Sequence, residues 1–302
     1  MSYDLFLRPR SGELSREALL EYFNGTTGYT FDEEDDDVVS YENEVTGVYF
    51  RFQFDAGSSD TGEEEEEDDD HDDGNGPELS FELDAFRPFT FGLEARIELD
   101  ALVAAFDLLV TDPQEGGVEG ATWDGDAFLR GWTRLNELNY ATILRDEWDP
   151  DEPLYTLPRA EIEYCWRWNF AYEARVEELG ERFFIASIAF AGRDGRTVVQ
   201  AMWPDDRPIV LPRVAEVLLV RGEGKQQQTR LVAWDDLCTK VPALNEAGHP
   251  WTLTEAQIGR RLDVFFAEDK GNARITLVEA DRIHAIEDVE RARSSKKKKK
   301  GS

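Results

Sequence analysis

Apolar and polar positions alternate from the first residues of the chain. Tyr3, Leu5 and Leu7 are interleaved with Asp4, Phe6 and Arg8, a period of two that puts one set of side chains on the inner face of a strand. The period then changes. Leu19, Tyr22 and Phe23 make a helical stripe, Ser15 stands where an N-cap hydroxyl accepts from free backbone N–H groups, Leu14 and Leu19 hold the two positions of a hydrophobic staple, and Gly25 can stop the helix. Val48, Phe50, Phe52 and Phe54 alternate with Tyr49, Arg51 and Gln53. Leu79, Phe81 and Leu83 repeat the pattern, alternating with Ser80, Glu82 and Asp84, so these two strands are expected to pair. Leu99, Leu102, Val103 and Phe106 return to helical spacing, and a short strand follows at 108–110. A third helix is expected over 127–144, with Asp124 or Asp126 as cap and Phe128, Trp132 and Leu135 on one face. The order β-α-β-β-β-α-β predicts a ferredoxin-like α+β layer with one additional strand.

Asp149, Pro150, Asp151, Glu152 and Pro153 join two helix-breaking residues to three acids, which places a domain border there: one domain over 1–148, a second over 154–293. In the second, Ile162, Tyr164, Trp166, Trp168, Phe170 and Tyr172 alternate with Glu161, Glu163, Cys165, Arg167, Asn169 and Ala171. A strand would bring every one of those aromatics to one face, so a long strand is expected over 162–176. A turn at 178–181 leads to a strand at 183–190, and Arg193-Asp194-Gly195-Arg196 is a hairpin signal into 197–203, giving an antiparallel β-meander. Strands at 209–211 and 214–220 are interrupted by Pro208 and Pro212. Thr252 and Glu255 form a capping-box pattern ahead of a helix bearing Ile258, Leu262 and Phe265. A strand at 275–278, a helix over 281–293 with His284 on it, and a disordered basic tail over 294–302 complete an α+β chain with flanking helices. No repeat of fixed period occurs, which argues against a solenoid or propeller.

Charge is where composition changes this outline. The 302 residues carry 65 acids and 33 bases, a net charge of −32, with 41% hydrophobic and 12% aromatic residues, enough apolar surface for packed cores. Residues 1–158 hold 42 acids against 9 arginines and no lysine, a net −33, whereas the remainder has 23 acids and 24 bases. A general pressure toward solubility would acidify both halves, so the charge answers a need local to the first. Its densest part, residues 57–76 with the run EEEEEDDDHDD, has nothing apolar to offset the entropy of ordering and is expected to be a disordered loop. The start MSYDLFLRPR lacks the layout of a signal peptide and no apolar run is long enough to span a bilayer, so a cytoplasmic protein without membrane contact is expected. Cys165 and Cys238, far apart, fit reduced thiols rather than a disulfide framework.

The chemistry-bearing motifs are sparse. His71, His249 and His284 have no partner at the spacing of a catalytic triad or zinc site, and no HExxH, CxxC, GxGxxG or P-loop occurs. Asp60-Thr61-Gly62 matches the aspartic-protease tripeptide once, in the acidic loop, where two such loops on rigid strands would be needed. An EF-hand alignment on Gly74 puts His71 and Ser80 at ligand positions, so no calcium loop is expected, nor any other cofactor or metal. Direct nucleic-acid binding is opposed by the charge itself, since phosphate affinity comes from counterions released by Lys and Arg. What remains is an anionic face for a basic protein partner, with Asp32, Glu33, Glu34, Asp35, Asp36, Asp37, Glu42 and Glu44 as its candidate residues.

The segments MSYDLFLRPRSGELSREALLEYF, YENEVTGVYFRF, FRPFTFGLEA, LVTDPQ and FLRGW, with WRWNFA and WPDDRPIVLP in the second half, resemble an uncharacterised family of acidic bacterial proteins. In charge, size and lack of catalytic motifs the chain is also similar to the immunity proteins of polymorphic toxin systems. Three functions follow as expectations. The first is a non-enzymatic immunity protein that neutralises a toxin, such as a nuclease with a cationic groove, through its acidic face. The second is a structural or regulatory adaptor. The third is an enzyme with carboxylates converging in a cleft, for which two perturbed acids roughly 5 to 9 Å apart would be required.

Overall fold

The computed structural model describes the chain apart from residues 33, 34, 36, 56–77, 116–119, 145–147, 149–152, 205–206, 246–250, 255–260, 268–271 and 300–302. The protein is mixed α+β and divides into two units, Met1–Trp148 with Asp288–Ser302, and Asp149–Glu287. Among the described residues no helix is long and apolar enough to cross a membrane.

The first unit runs β1 (Ser2–Pro9), α1 (Arg16–Gly25), β2 (Tyr29–Phe31), β3 (Val38–Asn43), β4 (Val48–Asp55), β5 (Glu78–Asp84), α2 (Thr90–Phe106), β6 (Leu108–Thr111), β7 (Ala121–Thr122) and α3 (Gly125–Thr142). The strands form one sheet in the order β2-β3-β4-β5-β1-β6-β7, every pairing antiparallel. Each strand keeps the period of two. Tyr3, Leu5, Leu7, Phe50, Phe52 and Phe81 are buried on one face, where Phe23 of α1 meets Phe52 at 5.4 Å and Phe128 of α3 meets Tyr3 at 5.5 Å between ring centroids. Each such ring contributes about 1.5–3 kcal/mol by leaving water. The opposite residues of the same strands stay at least partly exposed.

Local chemistry sets the helix ends as expected. Ser15 Oγ accepts from the Ala18 N–H at 3.3 Å, and Asp124 Oδ1 accepts from the N–H groups of Asp126 and Ala127 at 2.9 and 3.1 Å. Gly92 brings α2 and α3 together, since a Cβ there would stand 2.1 Å from Cδ1 of Trp132. Asn136 of α3 donates to the carbonyls of Ala85 and Arg87, both at 2.8 Å, and fixes the chain between β5 and α2. The expected acidic loop at 57–76 lies outside the described residues.

The second unit contains β8 (Tyr155–Leu157), α4 (Arg159–Phe170), α5 (Tyr172–Leu179), β9 (Phe184–Ile185), β10 (Ile188–Arg193), β11 (Arg196–Pro204), β12 (Ile209–Leu211), β13 (Glu216–Arg221), β14 (Gln228–Ala233), α6 (Trp234–Lys240), β15 (Trp251–Leu253), α7 (Asp263–Phe266), β16 (Leu277–Val278) and β17 (Ile283–Ala285). The expected strand over 162–176 is wrong: the segment is α4 and α5. Ile162, Cys165, Trp168 and Asn169 are the buried residues of α4, a spacing of three and four that crosses the apparent alternation. Trp166 stacks on Phe170 one turn on, Glu163 pairs with Arg167 at 2.6 Å, and Gly180 ends α5 at φ 68°. The alternation puts Cys165 and Asn169 on the polar side, yet both are core. Asn169 donates to the Ile188 carbonyl at 2.9 Å and accepts its N–H at 2.8 Å, holding the end of α4 against β10.

The expected meander also changes. β10 and β11 form the hairpin through Asp194 and Gly195, both at positive φ, but β11 and β13 run parallel within the order β14-β13-β11-β10-β16. Between Pro208 and Pro212 the chain leaves that sheet to place β12 between β15 and β9, then re-enters in the same direction. Thr252 lies in β15, paired with Val210, not at a helix cap, and its proposed partner Glu255 is outside the described residues. His284 sits buried on β17, which pairs with β8, so the expected helix over 281–293 starts later, as α8 (Ile286–Lys299). That helix takes in most of the tail expected to be disordered; Lys and Arg are good helix formers and no Gly or Pro lies between Ile286 and Gly301.

Candidate functional site

The open face of the first unit's sheet is where its charge becomes organised. Antiparallel register places Glu42 of β3 opposite Tyr49 of β4, Ser40 opposite Arg51, and Arg51 in turn opposite Glu82 of β5. The alternation that buries Tyr41, Phe50 and Phe81 therefore delivers Glu42, Tyr49, Arg51 and Glu82 to one surface. With Ser40 and Asp84 they line a groove of about 370 Å³. Arg51 Nε donates to Glu82 Oε2 at 2.7 Å, and Arg87 Nη2 lies 3.0 Å from Asp84 Oδ2. The Arg87 guanidinium also covers the Tyr49 ring, 5.0 Å from its centroid, and Phe91 meets that ring edge-on at 5.4 Å. Glu42 is exposed and makes no ion pair among the described residues.

A buried polar node positions this edge of the sheet. Glu94 of α2 is fully buried, and its Oε1 accepts from Tyr41 Oη at 2.9 Å, Asn43 Nδ2 at 2.8 Å and Thr46 Oγ1 at 3.1 Å. Asn43 Oδ1 accepts in turn from the N–H groups of Val45 and Thr46 at 3.1 and 3.2 Å. The β3–β4 turn that carries exposed Glu44 is thus tied to α2 through one carboxylate. Glu98, one turn further along α2, accepts from Tyr29 Oη at 3.0 Å, and burial holds its carboxyl above the ordinary carboxylate range against the opposing pull of that hydrogen bond. Burial and the adjacent glutamates raise Tyr29 and Tyr41 as well.

Of the acids singled out by sequence, Glu42 lies in the groove and Glu44 beside it in the turn. Asp32 and Asp35 are exposed on the β2–β3 connection, where Asp37 pairs with Arg16 at 2.8 Å and donates its N–H to Asp35 Oδ1 at 3.0 Å. None of these three lines the groove, and Glu33, Glu34 and Asp36 lie outside the described residues. Glu82, Asp84 and Tyr49 were missed as site residues. Their signal was alternation: Glu82 and Asp84 alternate with Phe81 and Leu83, Tyr49 alternates with Val48 and Phe50, and the two outer sets share a face once the strands pair.

The arrangement can hold a cation between carboxylates and an aromatic ring. Other chemistries have less to work with. Among the described residues no group of three or more His, Cys, Asp and Glu could hold a metal ion. Cys165 and Cys238 are both buried and form no disulfide, and burial pushes the Cys165 thiol up to about 12, far from nucleophilic use. Asp60-Thr61-Gly62 is outside the described residues. A second concavity in the same unit, about 290 Å³ between α3 and α8, is lined by Arg134, Glu137, Asp288 and Arg291, with Arg291 paired to Glu137 and 3.6 Å from Asp288. No family model, no curated protein and no solved structure matches the chain.

Proposed function

We propose that the protein is a non-enzymatic binding protein that docks a basic protein through the open sheet face of its first unit. The observation that carries this reading is the groove itself, in which Glu42, Glu82 and Asp84 stand about Tyr49 on the unit that holds most of the chain's net charge. Carboxylates on such a face attract cationic surfaces, speed encounter and reject acidic competitors. The partner of the proposal is a toxin whose cationic surface the face covers, the role of an immunity protein acting in the cytoplasm. The central strand order β4-β5-β1-β6, with α1 and α2 on one side, supports reading the unit as a ferredoxin-like layer extended at both edges.

Co-expression with the product of the adjacent gene tests the reading. Salt-sensitive association and rescue of growth are expected. A product that neither binds nor is neutralised overturns it. One observation favours the adaptor as a second reading: Met202 and Leu277, on the five-stranded sheet of the second unit, are 45% and 69% exposed, apolar surface open to a further contact.

A further inference from the structure

Two bases of the chain itself stand at the groove. Both bases held there are arginines: Arg51 donates Nε and Nη2 to the single oxygen Oε2 of Glu82, and Arg87 combines a carboxylate contact to Asp84 with the face of Tyr49. A guanidinium is planar, weakly hydrated and able to stack while it donates, whereas an ammonium is a compact, strongly hydrated point charge. Glu42 stands opposite Tyr49 with no ion pair among the described residues, so the groove keeps a carboxylate beside an aromatic ring with room for one more cation.

We propose that this face selects arginine over lysine side chains of its basic partner, with the incoming guanidinium on Glu42 beside Tyr49, and that Arg51 is a resident competitor which weakens the contact. The proposal rests on the binding reading above. Arg51 occupies Glu82 and sets a positive charge next to the entering one, so its removal frees a carboxylate and lifts a repulsion. The side chains of Arg51 and Glu82 are 56% and 39% exposed, so the pair is of the weak, solvent-screened kind that a partner can displace.

The test uses the full chain with fluorescein-labelled hexa-arginine and hexa-lysine peptides at low ionic strength. Hexa-arginine should bind at least about threefold more tightly than hexa-lysine, a gap in keeping with one exposed guanidinium contact. Glu42→Gln and Tyr49→Leu should close that gap, and Tyr49→Phe, which keeps the ring, should preserve it. Arg51→Gln should tighten hexa-arginine by about two- to fivefold. The gap should also survive replacement of residues 57–76 by a short Gly-Ser loop, which separates the groove from unspecific attraction by the acidic run. Equal binding of the two peptides, unchanged in Glu42→Gln and Tyr49→Leu, overturns arginine selection while leaving a basic partner standing. Weaker binding in Arg51→Gln overturns the competitor role. Failure of both peptides to bind removes the underlying reading as well.

Discussion

Replacing Glu94 by alanine removes one side chain from the core and takes the acceptor from three donors at once. Tyr41 Oη, Asn43 Nδ2 and Thr46 Oγ1 all end on Glu94 Oε1, and the residue is fully buried. A hydrogen bond to a charged acceptor is worth about 1.5–3 kcal/mol, and a buried donor left without a partner costs about 1–3 kcal/mol. The hydroxyls of Tyr41 and Thr46 can turn toward water admitted to the vacated volume, which trims the sum, so Glu94→Ala should cost about 3–5 kcal/mol. That is a large share of the roughly 5–15 kcal/mol that stabilises a domain. Glu94→Gln keeps an oxygen at the same place and should cost about 1–2 kcal/mol. Urea denaturation followed by near-ultraviolet circular dichroism measures both, with the transition of the first unit tracked through its buried Tyr3, Tyr41 and Trp132. A Glu94→Ala protein within about 1 kcal/mol of wild type would refute the node, since three donors, two of them buried, could not then depend on that carboxylate.

Three further substitutions probe the same unit. Gly92→Ala forces a Cβ to within 2.1 Å of the Trp132 ring and should cost about 1–3 kcal/mol by overpacking, read as a lower urea midpoint at unchanged slope. The folded Glu98 carboxyl titrates above its unfolded value, so its contribution is fully present below the unfolded value and is lost as pH rises through the folded one. Glu98→Gln should therefore be at least as stable as wild type at about pH 7, with the advantage shrinking as pH falls toward about 4; a constant difference across that range would exclude the titration. Asp124 has the opposite sign, because the Ala127 N–H and then that of Asp126 pull its carboxyl below the ordinary value of an unfolded aspartate. Its contribution is present above that value and lost as pH falls, so Asp124→Ala should destabilise α3 at neutral pH and converge on wild type in acid, as thermal melts at both pH values would show.

Features governed by neighbouring residues were legible in the sequence, and features governed by distant ones were not. Ser15 and Asp124 cap their helices because the acceptor and the free N–H groups lie within three residues of each other. The strands around Phe50, Phe52 and Phe81 declared themselves because one face of each is buried. The 162–176 segment misled for the same reason: its aromatics alternate, but Trp166 and Phe170 stack along the outside of a helix while Cys165 and Asn169 face inward. Aromaticity stood in for burial, and the Glu163–Arg167 pair, one helical turn apart, is a signal that the alternation does not use. Thr252 imitates a cap, yet its pairing with Val210 lies far away in sequence. The candidate site shows the same division. Glu42 could be found as an acid on a strand, but its neighbours Tyr49, Glu82 and Asp84 come from β4 and β5, and only register joins them.

The most direct measurement separates this face from the acidity of the chain at large. Glu42→Gln, Glu82→Gln and Asp84→Asn are combined in one protein; Glu13, Glu17 and Glu21, all exposed and away from the groove, are changed to Gln in another, so both lose the same charge. Titration with hexa-arginine at low and at physiological salt should show the first weakened by about tenfold, the sum of three exposed contacts, and the second by less than about twofold. Equal weakening of the two proteins would mean that net charge alone attracts the peptide, and would contradict a recognition face on the open side of the sheet.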